Sequence, residues 1–206
     1  FALVLLVAVT PLSAESAPLS ADGAAQVEKK VVSDLAELQS RVVQVPVLRG
    51  EFQQEKHVQG FRNPLRSAGR FVSAREYGVW WQTLKPFPSD VVLTRERILT
   101  RQADGRSRVE LDTQQQPALR AVNALMFALM GGDVEALAAH FDLQAGLLPD
   151  DHWRLVLIPK GGAVARAFQQ VTLEGDRFVR QVLIDEPNGD RTQLTFTSLT
   201  VEPAEL

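Results

Sequence analysis

Between Val47 and Leu93, apolar and polar residues alternate so as to commit one face of the chain to an interior. In Val47–Lys56, Leu48, Gly50 and Phe52 fall on one parity, and Arg49, Glu51 and Gln53 on the other. This period of two marks a strand with one wet face. Ser67–Arg75 keeps the rule with Gly69, Phe71 and Ser73, and Val79 and Trp81 share a face beyond a break at Glu76–Gly78. Large aromatics set among Gly and Ser leave space beside the bulk, which suits a packed core or a cavity.

The spacing upstream is different. Ala24, Val27, Val31, Leu35, Leu38 and Val42 follow one another by three or four, predicting an amphipathic helix capped by Asp22 and ended near Pro46. Downstream, Ile98–Leu111 predicts a hairpin around Asp104-Gly105, with Arg97, Arg101, Arg106, Arg108 and Glu110 on its wet side. Pro117 opens a second helical stretch with an apolar stripe of Leu119, Val122, Leu125, Met126, Leu129 and Met130. Gly131-Gly132 interrupts it, and Asp133 caps a continuation through Val134, Leu137, Ala138 and Phe141. Such a stripe packs a core, or covers a cavity as a hinged lid, since Met adapts to irregular partners.

After Pro149 the strand pattern returns. Trp153, Leu155 and Leu157 share a face, Lys160-Gly161-Gly162 ends that strand, and Val171 and Leu173 lead into the turn at Glu174-Gly175-Asp176. Phe178, Val182 and Ile184 alternate toward Pro187-Asn188-Gly189-Asp190, and Leu194 and Phe196 alternate after it. The expectation is an antiparallel meander within an α+β fold.

Composition narrows the function. The 206 residues fit one large domain, expected over 24–206, and the net charge of -3 includes no basic block, which argues against nucleic acid as a partner. Phe1–Val9 is apolar and runs into Thr10-Pro11-Leu12-Ser13-Ala14, as in the core and cleavage region of a secretory signal. Cleavage after Ala14 is expected, followed by a flexible 15–23, and retention as an anchor is the alternative. The run is shorter than the ~20 residues a spanning helix needs. Export permits disulfides, yet there is no Cys, so burial and the sheet must supply stability.

Catalytic patterns are missing. There is no nucleophile elbow, dinucleotide turn, phosphate loop or zinc-binding helix, and His57, His140 and His152 show no ligand spacing, so neither a metal nor a cofactor is expected. A small-molecule enzyme would require two of Glu51, Glu110, Asp151 and Glu174 to converge inside a pocket.

The order Phe52-x-Gln54, Ser67-x-Gly69-x-Phe71, Arg75, Trp81, Pro86 and a Val/Leu strand, followed by Leu155-x-Leu157-x-Pro159-Lys160, resembles the LolA family of periplasmic lipoprotein carriers. The resemblance runs from about Ala24 to Leu199. It implies an incomplete antiparallel β-barrel with the N-terminal helix and lid helices covering an apolar cavity for acyl chains. On that reading Leu48, Phe52, Phe71, Val79, Trp81, Leu155 and Leu157 line the cavity. Leu119, Val122, Met126, Leu129 and Met130 form the lid, and Arg75 holds it closed by bonds to its carbonyls. The implied partners of a monomer are an acylated lipoprotein or other lipid, an inner-membrane donor complex and an outer-membrane acceptor. The sequence departs from the family pattern at Arg75-Glu76, where Arg-Pro is usual, and at Thr94-Arg95-Glu96-Arg97, where an Asp-Gly turn is expected. The insert Pro117–Phe141 is longer and more apolar. These departures point to a paralogue with its own cargo. A sensing or partner-binding module on the same architecture is the alternative function.

Overall fold

The computed structural model describes residues 34–95, 97–102, 108–112, 123, 125–128, 130 and 134–202. The N-terminal apolar run, its expected cleavage site and the segment 15–23 lie outside the described residues, as do the Asp104-Gly105 turn and the paired glycines 131–132. Helix α1 covers 34–41 of the described residues, and its Leu38 is fully buried with Leu35 beside it, on the face the spacing predicted.

The strands are β1 (Val47–His57), β2 (Leu65–Ala74), β3 (Gly78–Lys85), β4 (Ser89–Leu93), β5 (Arg97–Gln102) and β6 (Arg108–Asp112), then β7 (Phe141–Leu147), β8 (Trp153–Pro159), β9 (Gln170–Gly175), β10 (Val179–Asp185) and β11 (Arg191–Glu202). Helix α2 lies between β6 and β7, with residues 123, 125–128 and 130 described, and is followed by α3 (Val134–Ala138). Helix α4 (Gly162–Ala167) joins β8 to β9.

The strand order is β6-β5-β4-β3-β2-β1-β11-β10-β9-β8-β7, with antiparallel pairing. Two meanders thus meet at the long β1–β11 pair, while β6 and β7 remain as separate edges. The sheet is not closed into a barrel, and the chain from β6 to β7 carries α2 and α3. Register keeps the apolar parity on one face: Phe52 pairs with Gly69 and Phe196, Phe71 with Trp81, Leu155 with Leu173, and Ile184 with Val171. Leu38, Leu125, Met130, Leu137 and Val164 from the four helices join these strand residues in one buried cluster. The other face mixes polar pairs, where Arg70 donates to Gln82 at 2.6 Å and Gln82 to Asp90 at 3.0 Å, with a half-buried row of Val72, Trp80, Val92 and Leu99.

Two elements differ from the sequence expectation. The helical continuation does not run through Phe141, which opens β7 instead; Phe141 lies four residues after Leu137 and so fits a helical spacing, but Phe141, Leu143 and Ala145 also alternate and turn inward against β8. Helix α4, six residues placed beyond the Lys160-Gly161-Gly162 signal, was not expected; its Val164 and Ala167 are buried.

Candidate functional site

Four aromatic side chains build the floor of the interior. Phe52 and Trp81 stack with ring centroids 3.9 Å apart, Phe71 lies 6.0 Å from Trp81, and Phe196 meets Phe71 edge-on at 5.4 Å. Gly50 makes their placement possible: a Cβ there would come within 2.5 Å of Leu199 and 2.8 Å of the Phe71 ring. Leu199 reaches this face although its parity is opposite to that of Leu194 and Phe196. The β1–β11 register slips between Arg49 and Glu51, and Ser198, at φ 53, is the left-handed residue of that bulge.

Above the floor lies a cleft lined by Val42, Val43, Leu48, Phe71, Met130, Phe178, Val179, Phe196 and Leu199, with about 300 Å³ of empty space counted out to its open mouth. Its enclosed part holds no more than about one water. The open chamber expected from the sequence is therefore filled in this conformation. Apolar interiors pack to high density, and here the buried Met130 of α2 stands against the strand residues that line the cleft.

Of the expected cavity residues, Leu48 and Phe71 line the cleft; Phe52, Val79, Leu155 and Leu157 are buried in the surrounding core, and Trp81 is half-buried behind Phe71. Of the expected lid residues, Met130 lines the cleft and Met126 packs against the core, while Leu119, Val122 and Leu129 lie outside the described residues. Val42, Val43, Phe178, Val179, Phe196 and Leu199 complete the lining. Alternation in β10 and β11 points to Val179 and Phe196, whereas the bulge hides Leu199.

Arg75, the expected lid-locking residue, faces a lid segment that lies largely outside the described residues. It is exposed in the β2–β3 turn, where its backbone N–H donates to Pro46 O at 2.9 Å, and its side chain makes no hydrogen bond among the described residues of α2. Among the described residues, a polar tie between α2 and the sheet comes from the helix. Asn123 Nδ2 donates to Thr94 O at 2.6 Å and to Arg95 O at 3.4 Å, and the Arg95 guanidinium lies 5.9 Å from the Phe127 ring. Asn123 is only 3% exposed, and its Oδ1 has no hydrogen-bond partner. A polar residue inside the apolar run Ala121–Met130 was the signal for it.

The β9–β10 turn fixes the rim. Asp176 accepts from the Phe178 N–H at 3.0 Å and from Arg180 Nε and Nη2 at 3.0 Å each, and both Arg177 and Arg180 lie over the Phe178 ring, at 6.0 and 5.8 Å. Burial raises the Asp176 pKa, but the Arg180 hydrogen bond, the Phe178 N–H and the Arg180 charge outweigh it and leave the carboxyl below its usual value. A depressed carboxyl stabilises the fold above its unfolded pKa of about 3.9 and loses that contribution as pH falls through the folded value. Replacing Asp176 by Asn is therefore expected to cost about 1 kcal/mol at neutral pH, discounted for partial exposure. Denaturant titrations of both proteins should converge as pH falls through the lowered Asp176 value; a gap that does not narrow on acidification would place the loss in packing alone.

The carboxylates considered for an enzyme do not meet in the cleft. Glu51 is exposed and accepts from Ser198 at 3.2 Å, Asp151 is exposed in a turn, and Glu174 pairs with Arg154 at 2.7 Å; the Glu110 side chain lies outside the described residues. Among the described residues no group of His, Asp and Glu is placed to hold a metal ion.

An open antiparallel sheet whose apolar face is roofed by helices over an aromatic-floored cleft is the class of fold that this chain adopts. The family model described as "Outer membrane lipoprotein carrier protein LolA" matches residues 43–205, and the chain belongs to the LolA family. Members are non-enzymatic carriers and generally periplasmic, and this protein is not an enzyme. No curated protein matches the sequence. Similar solved structures include a LolA superfamily protein from Nitrosomonas europaea, at 9% identity over 84% of this chain and 93% of that one, TM-score 0.44. A DUF1329 family protein from Desulfovibrio piger matches at 12% identity over 84% and 93%, TM-score 0.48. The Pseudomonas aeruginosa MucA/MucB complex matches at 18% identity over 86% and 58%, TM-score 0.45.

Proposed function

We propose that the protein is a periplasmic carrier that shields the acyl chains of a lipoprotein or other lipid between inner and outer membrane, with residues 24–206 acting as one lipid-binding domain. The observation that carries this reading is the seat of Met130: a flexible, buried side chain of α2 lines an aromatic-floored cleft that opens to the surface. An acyl chain in water costs about 0.8 kcal/mol per CH₂, so one of ~16 carbons carries roughly 13 kcal/mol that burial can remove. The cleft as it stands holds about one water, so loading requires α2 to leave and the acyl chain to take its place against Leu48, Phe71, Phe196 and Leu199. Exchanging one apolar occupant for another makes capture reversible, as delivery demands.

The experiment is a lipid extraction of protein purified from the periplasm without detergent, paired with titration of a fluorescent acyl probe. Co-purified acyl lipid and saturable probe binding are expected. Protein that is consistently lipid-free and fails to bind the probe would remove the carrier assignment and leave partner binding as the use of this fold.

A further inference from the structure

Most of the interior's apolar surface is covered, but one end of the sheet presents apolar side chains to solvent. Phe61 is 69% and Leu65 57% exposed in and after the β1–β2 loop, and Leu84 is 48% and Phe87 64% exposed at the β3–β4 turn. Strand direction places both connections at the same end, and the pairing of Ala68 with Lys85 brings the 86–88 turn beside the first residues of β2. An isolated exposed Leu is ordinary, whereas two adjoining loop tips that each carry a Phe make a patch.

Both tips are stiff. In the first, Phe61 N–H closes a turn onto Val58 O at 3.0 Å with Gly60 at φ 87, and the neighbouring Gln59 N–H donates to Asp190 at 2.9 Å. The left-handed Gly at the third position suits such a turn. In the second, Phe87 stands between Pro86 and Pro88, and the ring of Pro88 restricts its backbone to extended conformations. Neither ring turns back onto the sheet, so little ordering remains to be done when a partner covers them.

Two exposed cations stand beside these tips. Arg62 and Lys85 flank the two Phe residues and have no carboxylate partner among the described residues. Of the acids at this end, Glu55 pairs with Arg66 at 2.7 Å, Glu186 and Asp190 share Lys56 at 2.7 and 3.6 Å, and Asp90 accepts from the Gln82 amide at 3.0 Å. The cations next to the rings are thus the ones left open to a partner. Aromatic rings that enter the headgroup layer beside basic side chains that meet lipid phosphates are the chemistry of contact with an anionic bilayer. We propose that the β1–β2 and β3–β4 tips form a bilayer-docking edge, with Phe61 and Phe87 as anchors and Arg62 and Lys85 as the groups that select anionic lipid. The inference is independent of the cargo, because docking is read at the loops whether or not the cleft is loaded.

The absence of Cys allows a direct test. Phe61→Cys, Phe87→Cys and, at the opposite end, Tyr77→Cys each give the full chain one site for an environment-sensitive fluorophore. With vesicles containing phosphatidylglycerol, the label should shift to the blue at positions 61 and 87 and not at 77. Vesicles of phosphatidylcholine alone should give a much smaller shift, and added salt should weaken binding. Arg62→Glu with Lys85→Glu, introduced into the Phe87→Cys protein, should lower apparent affinity for the anionic vesicles by about 30-fold or more. No shift at 61 and 87, a shift of equal size at 77, or an equal response to both vesicle types would each overturn the proposal. A shift that follows protein concentration without vesicles would assign the patch to a second copy of the chain and overturn it too.

Discussion

Trp81→Glu is expected to abolish acyl-probe uptake while leaving a folded protein. Trp81 stacks on Phe52 at 3.9 Å and meets Phe196 at 6.2 Å, so it supports the aromatic floor beside the cleft. It is half-buried, so in the empty form an introduced carboxylate can reach water at the rim, with a stability loss of about 1–3 kcal/mol. A lipid tail lying on the floor would seal that route and leave an unpaired charge against hydrocarbon. The penalty then falls on the loaded form, and a further ~3 kcal/mol lowers affinity by about a hundredfold. Trp81→Phe keeps a ring in place and should retain affinity within about threefold. Probe titration with circular dichroism on the same samples separates the two effects. A folded Trp81→Glu protein that binds like the wild type would show that acyl chains do not lie on this floor.

The fold was largely legible because one rule, alternation, governs it. Leu48, Phe52, Phe71, Trp81, Leu155, Leu173 and Phe196 all sit on the face that their parity assigned. The rule fails where the backbone breaks period. Ser198 at φ 53 flips the parity of Leu199, and the helix-like step from Leu137 to Phe141 conceals the start of β7. Parity also says which side chains face inward but nothing about the volume between them. That volume depends on how far α2 descends, and the descent of Met130 into the cleft is a matter of tertiary packing. Arg75 keeps its place in the family's sequence order and stands just past the end of β2 at Ala74, in a solvent-exposed turn. A polar contact between α2 and the sheet was written as one Asn in an apolar run.

The same Asn yields the other large effect. In the seated helix, Asn123 Nδ2 gives two bonds to turn carbonyls, each worth about 1 kcal/mol, while its dry, unpaired Oδ1 costs about 1–3 kcal/mol. The two terms nearly cancel, so the residue orients α2 over the Thr94 turn without fastening it strongly, which suits the proposed movement of α2. Asn123→Asp keeps the shape and reverses this balance. An acceptor replaces the donor that faces Thr94 O at 2.6 Å, and a negative charge is buried at a position 3% exposed. At neutral pH the expected cost to the seated form is at least ~3 kcal/mol, which multiplies the unseated population by about 100 or more. Faster hydrogen exchange in α2 and faster probe uptake should follow together. The introduced carboxyl must have a pKa raised above about 3.9 in the seated form, since only its protonated state can donate to the carbonyls. Seating should therefore recover as pH falls through that raised value, and the wild type should show no such recovery. Unchanged α2 exchange in the variant at neutral pH would mean that the helix is held by its apolar face alone, with Met130 rather than Asn123 deciding when the cleft opens.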